Sequence, residues 1–128
     1  MGNRVMVAKK ISHFYDLYVW KEGHKLVLLI YKAVERLPSK EQFILGSQML
    51  RAVISITSNI AEGFGRQGLK EKIQFYSMAK ASLTELQNQL LICKDVGYLT
   101  NQKYELVWNQ TVIVHKMLNA LIKSLRIK

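Results

Sequence analysis

Apolar residues recur along the chain at alternating steps of three and four positions, the spacing of one face of an α-helix. The pattern predicts helices over residues 16–35, 39–62 and 69–96, and a fourth after Thr100, whose hydroxyl suits the N-cap position. The inward positions are, in order, Leu17, Trp20, His24, Val27, Tyr31 and Val34; Leu45, Met49, Val53, Ile56 and Ile60; Tyr76, Ala79, Leu83, Leu86, Leu90 and Cys93; Tyr104, Val107, Thr111, Val114, Leu118, Leu121 and Leu125.

Residues with special roles at helix ends mark the connections between these helices. Asp16 is suited to the N-cap of the first helix, and Pro38 stops that helix because the residue before a proline avoids the helical region. Ser39 and Gln42 have the spacing of a capping box at the start of the second helix. Gly97 is suited to a left-handed end of the third helix.

Long helices joined by short loops must pack antiparallel to their neighbours, which predicts an all-α, up-down-up-down antiparallel four-helix bundle. Residues 1–13 are basic and without a period, and we expect a flexible arm there, followed by a single domain over residues 14–128. Each helix also carries a second apolar line, more than one bundle needs, so we expect a homo-oligomer. These second lines are Leu26 and Ile30, Leu50 and Ile54, Phe75 and Ile92, and Trp108 and Ile122.

Composition is consistent with this architecture and points to a cellular compartment. The chain has 128 residues, 49% of them apolar, and a single proline, as expected for one compact domain. Cys93 is the only cysteine, so no internal disulfide can form and a reducing cytoplasm is the expected location. The longest stretches without charge are about half the length that a membrane span requires, so no membrane association is expected.

The chain is strongly basic, with a formal net charge of +10 from 19 Lys and Arg against 9 Asp and Glu. Such an excess favours a polyanionic partner, most simply nucleic acid, although a merely solvated surface is the alternative. Arg66, Lys70, Lys72 and Lys80 cluster around the start of the third helix and are the candidate phosphate contacts. Phe64 and Tyr76 are the aromatic residues near this basic set.

A polar line runs down the second helix, because Arg51, Ser55, Asn59 and Glu62 are spaced three and four positions apart. The favoured interpretation is a structural network that sets helix register, with Glu85 of the third helix as a partner for Arg51. A binding surface is the alternative. The structural interpretation predicts that Arg51→Ala destabilises the fold more than it weakens ligand binding.

No catalytic or metal-binding pattern is present in the sequence. His13, His24 and His115 are scattered, and none has metal-ligand spacing to another histidine or to Cys93. The glycine loop at residues 63–68 follows a helix instead of a strand, so it is not a dinucleotide motif. We therefore expect no cofactor, no metal and no enzymatic activity, with a ribonuclease as a distant alternative.

Residues spread over nearly the whole chain carry a resemblance to a known family. They are residues 14–20, Tyr31, Leu37, Pro38, Glu41, Leu45, Gln48, Arg51, Ala52, Ser55, Ile56, Asn59, Ile60, Ala61, Glu62, Gly63, Arg66, Phe75, Ala79, Ser82, Leu83, Glu85, Leu86, Gly97 and Tyr98. With them the chain resembles the four-helix-bundle proteins encoded in intervening sequences of bacterial 23S ribosomal RNA genes. It departs from that pattern at Gly68, where relatives often carry Ser or Thr, and at Ala81, where they carry Gly.

The resemblance implies a bundle that assembles into a ring, commonly a pentamer. The accessory variability protein of diversity-generating retroelements is similar in fold and assembly, and there a basic ring works with a reverse transcriptase and nucleic acid. The leading hypothesis is a non-enzymatic, oligomeric protein that binds nucleic acid, RNA in preference to DNA, through its basic surface. The second is a scaffold that holds a protein partner such as a polymerase or reverse transcriptase.

Overall fold

The computed structural model describes residues 10–128, so most of the predicted N-terminal arm lies outside the described residues. After a 3₁₀ turn at Phe14–Asp16, these residues form four helices and no strand. They are α1, Tyr18–Glu35; α2, residues 39–65, built from Ser39–Glu41, a π-helical turn at Gln42–Gly46 and Ser47–Gly65; α3, Leu69–Val96; and α4, Asn101–Arg126. The prediction of an all-α chain with four long helices is confirmed.

The helices pack antiparallel in sequence order, and α1 also packs against α4 to close the bundle. The direction follows from contacts that run in opposite senses along neighbouring helices. Sγ of Cys93, late in α3, lies 3.6 Å from Sδ of Met49, early in α2, while the hydroxyls of Ser55 and Ser82 meet at 2.8 Å. Nε2 of Gln110 in α4 donates to the backbone oxygen of Glu22 in α1 at 2.8 Å. The arrangement is therefore an up-down-up-down four-helix bundle.

The core of α3 is the predicted one, since all six of its inward positions are buried. The predicted face of α1 is wrong in part, because His24 and Tyr31 are exposed while Leu26 and Ile30 are completely buried. Two neighbouring helices, α2 and α4, cover α1, so its buried face is wider than a single line of residues. The centre of that face lies about one position earlier in the chain than the predicted line. The core of the same chain also includes three members of the second apolar lines, which were expected to contact another subunit: Leu26, Ile30 and Ile122.

Three of the five predicted helix-end signals are confirmed, and all three are local. The first helix, α1, ends at Glu35, shortly before Pro38. Gly97 has φ +91°, the left-handed conformation that glycine adopts without steric cost, and it ends α3. The hydroxyl of Thr100 accepts a hydrogen bond of 3.2 Å from the backbone N–H of Lys103 and caps α4. The bounds of α3 coincide with the predicted residues 69–96.

The other two signals are used differently from the prediction. Asp16 does not cap α1; its carboxylate accepts from the backbone N–H groups of Ser12 and His13, so it stabilises the 3₁₀ turn. Ser39 and Gln42 do not form a capping box. Instead, Nε2 of Gln42 donates to the backbone oxygens of Val34 at 2.7 Å and Leu37 at 2.9 Å. Val34 lies in the last turn of α1 and Leu37 just after it, so this amide ties the start of α2 to the end of α1.

Across residues 10–128, no helix combines the length and the apolar character needed to cross a membrane.

Candidate nucleic-acid interface

The antiparallel packing places most of the excess positive charge of the described chain at one end of the bundle. We call residues 10–26, 53–82 and 114–128 the charged end, and residues 27–52 and 83–113 the neutral end. The charged end carries eleven Lys and Arg against four Asp and Glu, a difference of +7. The neutral end carries six against five, a difference of +1. Nearly all of the excess positive charge of the described chain therefore lies at the charged end.

Arg66 lies at the charged end, directly after α2. Its Nη2 pairs with Oε2 of Glu62 at 2.9 Å, and its guanidinium lies 4.6 Å from the ring centroid of Phe75. The ion pair is on the surface, with both side chains about half exposed, so it contributes little to stability. A guanidinium has five N–H donors, and the pair with Glu62 leaves others for a ligand.

Lys72 differs from the other cations of the predicted basic set. Its Nζ donates to the backbone oxygens of Phe64 at 2.8 Å and Gly63 at 3.2 Å, the carbonyls at the end of α2. Burial lowers the pKa of this ammonium group below its usual value. Lys72 therefore closes the end of a helix, with most of its donors engaged by backbone.

Lys70 and Lys80 have no such engagement. Lys70 is exposed and Lys80 is half-buried, and within residues 10–128 neither ammonium group takes part in an ion pair or hydrogen bond. Lys70 also lies in the first turn of α3, whose N-cap is Gly68 and is not capped by any described side chain. Uncapped backbone N–H groups beside a free lysine are a favourable environment for a phosphate.

A surface groove of about 520 Å³ opens next to Arg66. One wall is Phe14, from the 3₁₀ turn, and the other is the last part of α2, with Ser58, Ala61, Glu62 and Gly65. The groove thus combines an aromatic ring with a guanidinium, a hydroxyl and a carboxylate. It is the part of the charged end where a ligand has both apolar and polar partners.

Phe14, the aromatic wall of this groove, belongs to a series of contacting rings between residues 13 and 24 that was not predicted as part of a site. The rings of His13 and Tyr15 stack at 4.8 Å, Phe14 meets Trp20 edge-on at 5.5 Å, and Trp20 stacks on His24 at 4.7 Å. The number of aromatic residues in this short stretch could have indicated a site from the sequence. It was not interpreted in that way because the helical period assigned Trp20 and His24 to the core.

Phe64 and Tyr76, the two aromatics noted beside the basic set, are less accessible. Phe64 is half-buried beneath Lys72, whose Nζ lies 5.6 Å from the ring centroid. Tyr76 is buried in the core, and burial raises the pKa of its hydroxyl. Neither ring is on the open surface.

The polar line of α2 divides into separate parts. The amide Nδ2 of Asn59 donates to Oγ of Ser55 at 3.1 Å, and Ser55 meets Ser82 of α3, so these three form a network between helices. Arg51 and Glu85 are both exposed and do not form the expected ion pair. Glu62 belongs to the surface pair with Arg66.

A family model described as 23S rRNA-intervening sequence protein matches residues 15–120, most of the chain. The chain belongs to this family. A crystal structure from Bacteroides thetaiotaomicron, described as a protein with unknown function from the S23 ribosomal protein family, has a TM-score of 0.77 to this chain. The two are 24% identical over 82% of this chain and 98% of that one, a likeness that establishes the fold. Among curated proteins, none matches the chain.

The family assignment confirms the resemblance seen in the sequence, and the residues that carried it lie in both core and surface. Ala52, Ile56 and Leu83 are buried in the bundle, whereas Arg66 is exposed at the charged end. In the part of the chain that the structure describes, no group of three or more His, Cys, Asp or Glu is placed to hold a metal ion.

Proposed function

We propose that this member of the 23S rRNA-intervening sequence protein family is a non-enzymatic RNA-binding protein that holds phosphates at its charged end. The observation that carries the proposal is the division of charge, +7 at one end of the bundle and +1 at the other. A field concentrated on one face attracts a polyanion and orients it, which the same charge spread evenly would not do. The family's description is consistent with RNA in preference to DNA.

Three cations are the proposed phosphate contacts. Arg66 keeps free donors beside the groove, Lys70 lies next to uncapped backbone N–H groups, and Lys80 has no partner among the described residues. Lys72, the fourth member of the basic set, is expected to contribute mainly by holding the end of α2. Each neutralised phosphate releases counterions, so the affinity should fall steeply as salt rises.

Two charge-matched variants test this placement by fluorescence anisotropy with a labelled RNA stem-loop. Lys70→Glu/Lys80→Glu changes the charged end, and Lys32→Glu/Lys40→Glu makes the same net change at the neutral end. At about 50 mM salt we expect the first to weaken binding by about tenfold or more and the second by less than about threefold. Equal losses would contradict a localised site. Absence of binding at that salt concentration, or binding insensitive to salt, would overturn the proposal altogether.

We further propose that the protein associates with itself through exposed apolar residues. The assembly proposed is a ring-like homo-oligomer, namely a pentamer. Phe43 is 89% exposed and Ile44 is 66% exposed, both in the π-helical turn at the start of α2. Ile54 and Ile92 are the two members of the predicted surplus lines that remain exposed. Phe43, Ile44 and Ile92 lie at the neutral end, where little like charge opposes the approach of another copy, and Ile54 lies just inside the charged end.

Particle mass from light scattering tests the assembly. A pentamer has five times the 14.8 kDa of the chain, about 74 kDa. Phe43→Glu/Ile44→Glu should reduce the mass without altering the helical circular dichroism, because both side chains are exposed within the subunit. Lys70→Glu/Lys80→Glu should leave the mass unchanged. A wild-type mass of a single chain would refute self-association.

A scaffold for a protein partner, such as a polymerase or reverse transcriptase, is the second candidate, and one groove favours it. Between α1 and α4, at the neutral end, a cavity of about 130 Å³ has an apolar floor and a basic rim. The floor is Leu29, Ala33, Leu99, Leu106 and Val107, and the rim is Lys32, Arg36 and Lys103. Capture of one dominant partner that survives nuclease treatment and is lost in Leu106→Glu would support this function. The location proposed for both functions is the cytoplasm, where Cys93 would stay reduced.

A further inference from the structure

We propose that the charged end binds unpaired nucleotides, whose bases stack on an exposed aromatic surface formed by His13, Phe14, Tyr15 and Tyr18. We call these four residues the aromatic ledge. The inference rests on the proposed RNA-binding function and narrows it to a class of RNA. Phosphate contacts alone would accept a duplex as readily as a single strand, so the ledge is a separate source of selectivity.

Three of the four rings of the ledge are open to solvent in the folded subunit. Tyr18 is 72% exposed, Tyr15 is 48% exposed and the side chain of His13 is 60% exposed. By contrast, Tyr76 and Tyr104 are buried in the same bundle. Exposed rings that contact each other, as those of His13 and Tyr15 do, indicate a recognition site, whereas singly exposed apolar residues are common on folded domains.

The part of the ledge formed by His13, Phe14 and Tyr15 is held in place before any ligand arrives. His13 and Tyr15 stack with an interplanar angle of 11°, and Phe14 meets the ring of Tyr15 edge-on at 5.4 Å. Phe14 is half-buried against Trp20, and the carboxylate of Asp16 accepts from the backbone N–H of His13 at 3.0 Å. A surface that is already ordered loses little conformational entropy when a base stacks on it.

The ledge is continuous with the cations of the charged end. Phe14 lines the same groove as Arg66, so a base on the ring and a phosphate on the guanidinium can belong to one strand. Nζ of Lys21 lies 5.4 Å from the ring centroid of Tyr18, which adds a cation beside the most exposed ring. Rings that accept bases and cations that accept the backbone are the two components of single-strand binding sites.

A duplex cannot use the ledge, because its bases are already paired and stacked inside the helix. The major groove of an RNA duplex is also too narrow for side chains to reach base edges. A duplex would therefore contact only the cations. A single strand gains stacking in addition, by about tenfold in affinity for a stacked base.

The test compares two fluorescein-labelled RNAs of equal length, a single-stranded oligouridylate and a blunt-ended duplex, each of about 12 nucleotides or base pairs. The variant is Tyr15→Leu/Tyr18→Leu, which removes two rings without changing the charge. The matched control is Tyr31→Leu, an exposed tyrosine at the neutral end. We expect the double variant to lose about tenfold in affinity for the single strand, and less than about twofold for the duplex, with no effect of the control.

The outcomes separate the ledge from the phosphate site. If both RNAs bind equally and the double variant changes neither, the ledge has no role and the inference is overturned, while the proposed function stands. Equal weakening of both RNAs would also overturn it, since a duplex has no free base to stack. If neither RNA binds the wild-type protein, the proposed function itself fails. Thermal melting of the variants confirms that each is folded.

Discussion

The two ends of this bundle are built from the same four helices but expose different groups to solvent. At the charged end, Lys70 and Lys80 have no partner among the described residues, and the rings of Tyr15 and Tyr18 face solvent. At the neutral end charges nearly balance, and the most exposed large hydrophobic side chain is that of Phe43. An excess of positive charge suits a polyanion, whereas exposed apolar surface with nearly balanced charge suits a protein. We therefore expect RNA to bind at the charged end and a protein partner at the neutral end.

The ends are also closed by different chemistry. Lys72 holds the end of α2 through backbone oxygens at the charged end. At the neutral end Gln42 holds the end of α1, and the hydroxyl of Tyr98 donates to the carboxylate of Glu41 at 2.9 Å. That hydrogen bond raises the pKa of Tyr98. Burial raises the pKa of the neighbouring Cys93 thiol to about 11. The pKa shifts favour the neutral form of the group at both ends, since burial also lowers the pKa of the Lys72 ammonium group.

Gly63→Ala should have the largest effect, because the added methyl group would push α2 away from α3 at the charged end. A Cβ atom there would lie 2.7 Å from Cε1 of the buried Tyr76 and 3.1 Å from Cβ of Phe75. We expect a loss of about 3 kcal/mol in the free energy of unfolding, measured with urea. Gly65→Ala is the control, since nothing lies within 4 Å of its Cβ, and it should be neutral or slightly stabilising. Similar results for both would mean that the approach of α2 to α3 is not rigid.

Alkaline pH should weaken the neutral end through Cys93. Its folded pKa of about 11 exceeds the ordinary 9.0, so the folded state holds the thiol proton over that interval. The resulting stability is present below about pH 9 and is lost as pH rises towards 11. Between about pH 8 and pH 10.5 this amounts to about 2 kcal/mol. Cys93→Ala, followed by urea unfolding at both pH values, should show a correspondingly smaller fall. An equal fall would exclude the thiol as its cause.

Lys72→Met and Lys70→Met should separate structural from binding cations at the charged end. Loss of the two hydrogen bonds of Lys72 should cost about 1 kcal/mol in the free energy of unfolding, with little change for Lys70→Met. RNA affinity should respond in the reverse order, falling more for Lys70→Met. Should the two variants be indistinguishable in both assays, the division of roles between these lysines is wrong.

Arg51→Ala, at the edge of the neutral end next to the charged end, should have the smallest effect. Because Arg51 is exposed and does not pair with Glu85, we expect a change below about 0.5 kcal/mol, which reverses the expectation from the sequence alone. Ser55→Ala is the comparison, since it removes contacts to Ser82 and Asn59, and it should cost about 1 kcal/mol. Thermal unfolding of the pair measures both. A strongly destabilised Arg51→Ala would mean that Arg51 has a partner outside the described subunit.

The regular parts of the fold could be predicted because their signals are local. The bounds of α3 and its six buried positions follow from a single apolar period, and Gly97 and Thr100 act on the residues next to them. The face of α1 could not be predicted equally well. Its apolar residues fit more than one line, and only the positions of α2 and α4 decide which line is buried.

The candidate site was less predictable for the same reason. Its cations were recognised as a group in the sequence, but nothing local distinguishes Lys72, which reaches back to Gly63 and Phe64, from Lys70 two residues earlier. The groove between Phe14 and Arg66 joins residues some fifty positions apart. The ring-rich stretch that begins at His13 was visible, yet its exposure depends on which side of α1 faces the bundle.

The sequence by itself determined four helices, their order, most of their limits and the total charge, because helix periodicity, caps and ionisable groups are properties of short segments. Only the tertiary structure decided that +7 of the charge gathers at one end, that Gln42 and Lys72 close helices to which they do not belong, and that a row of rings adjoins the cations. These are relations between segments distant in the chain, and antiparallel packing is what brings them together.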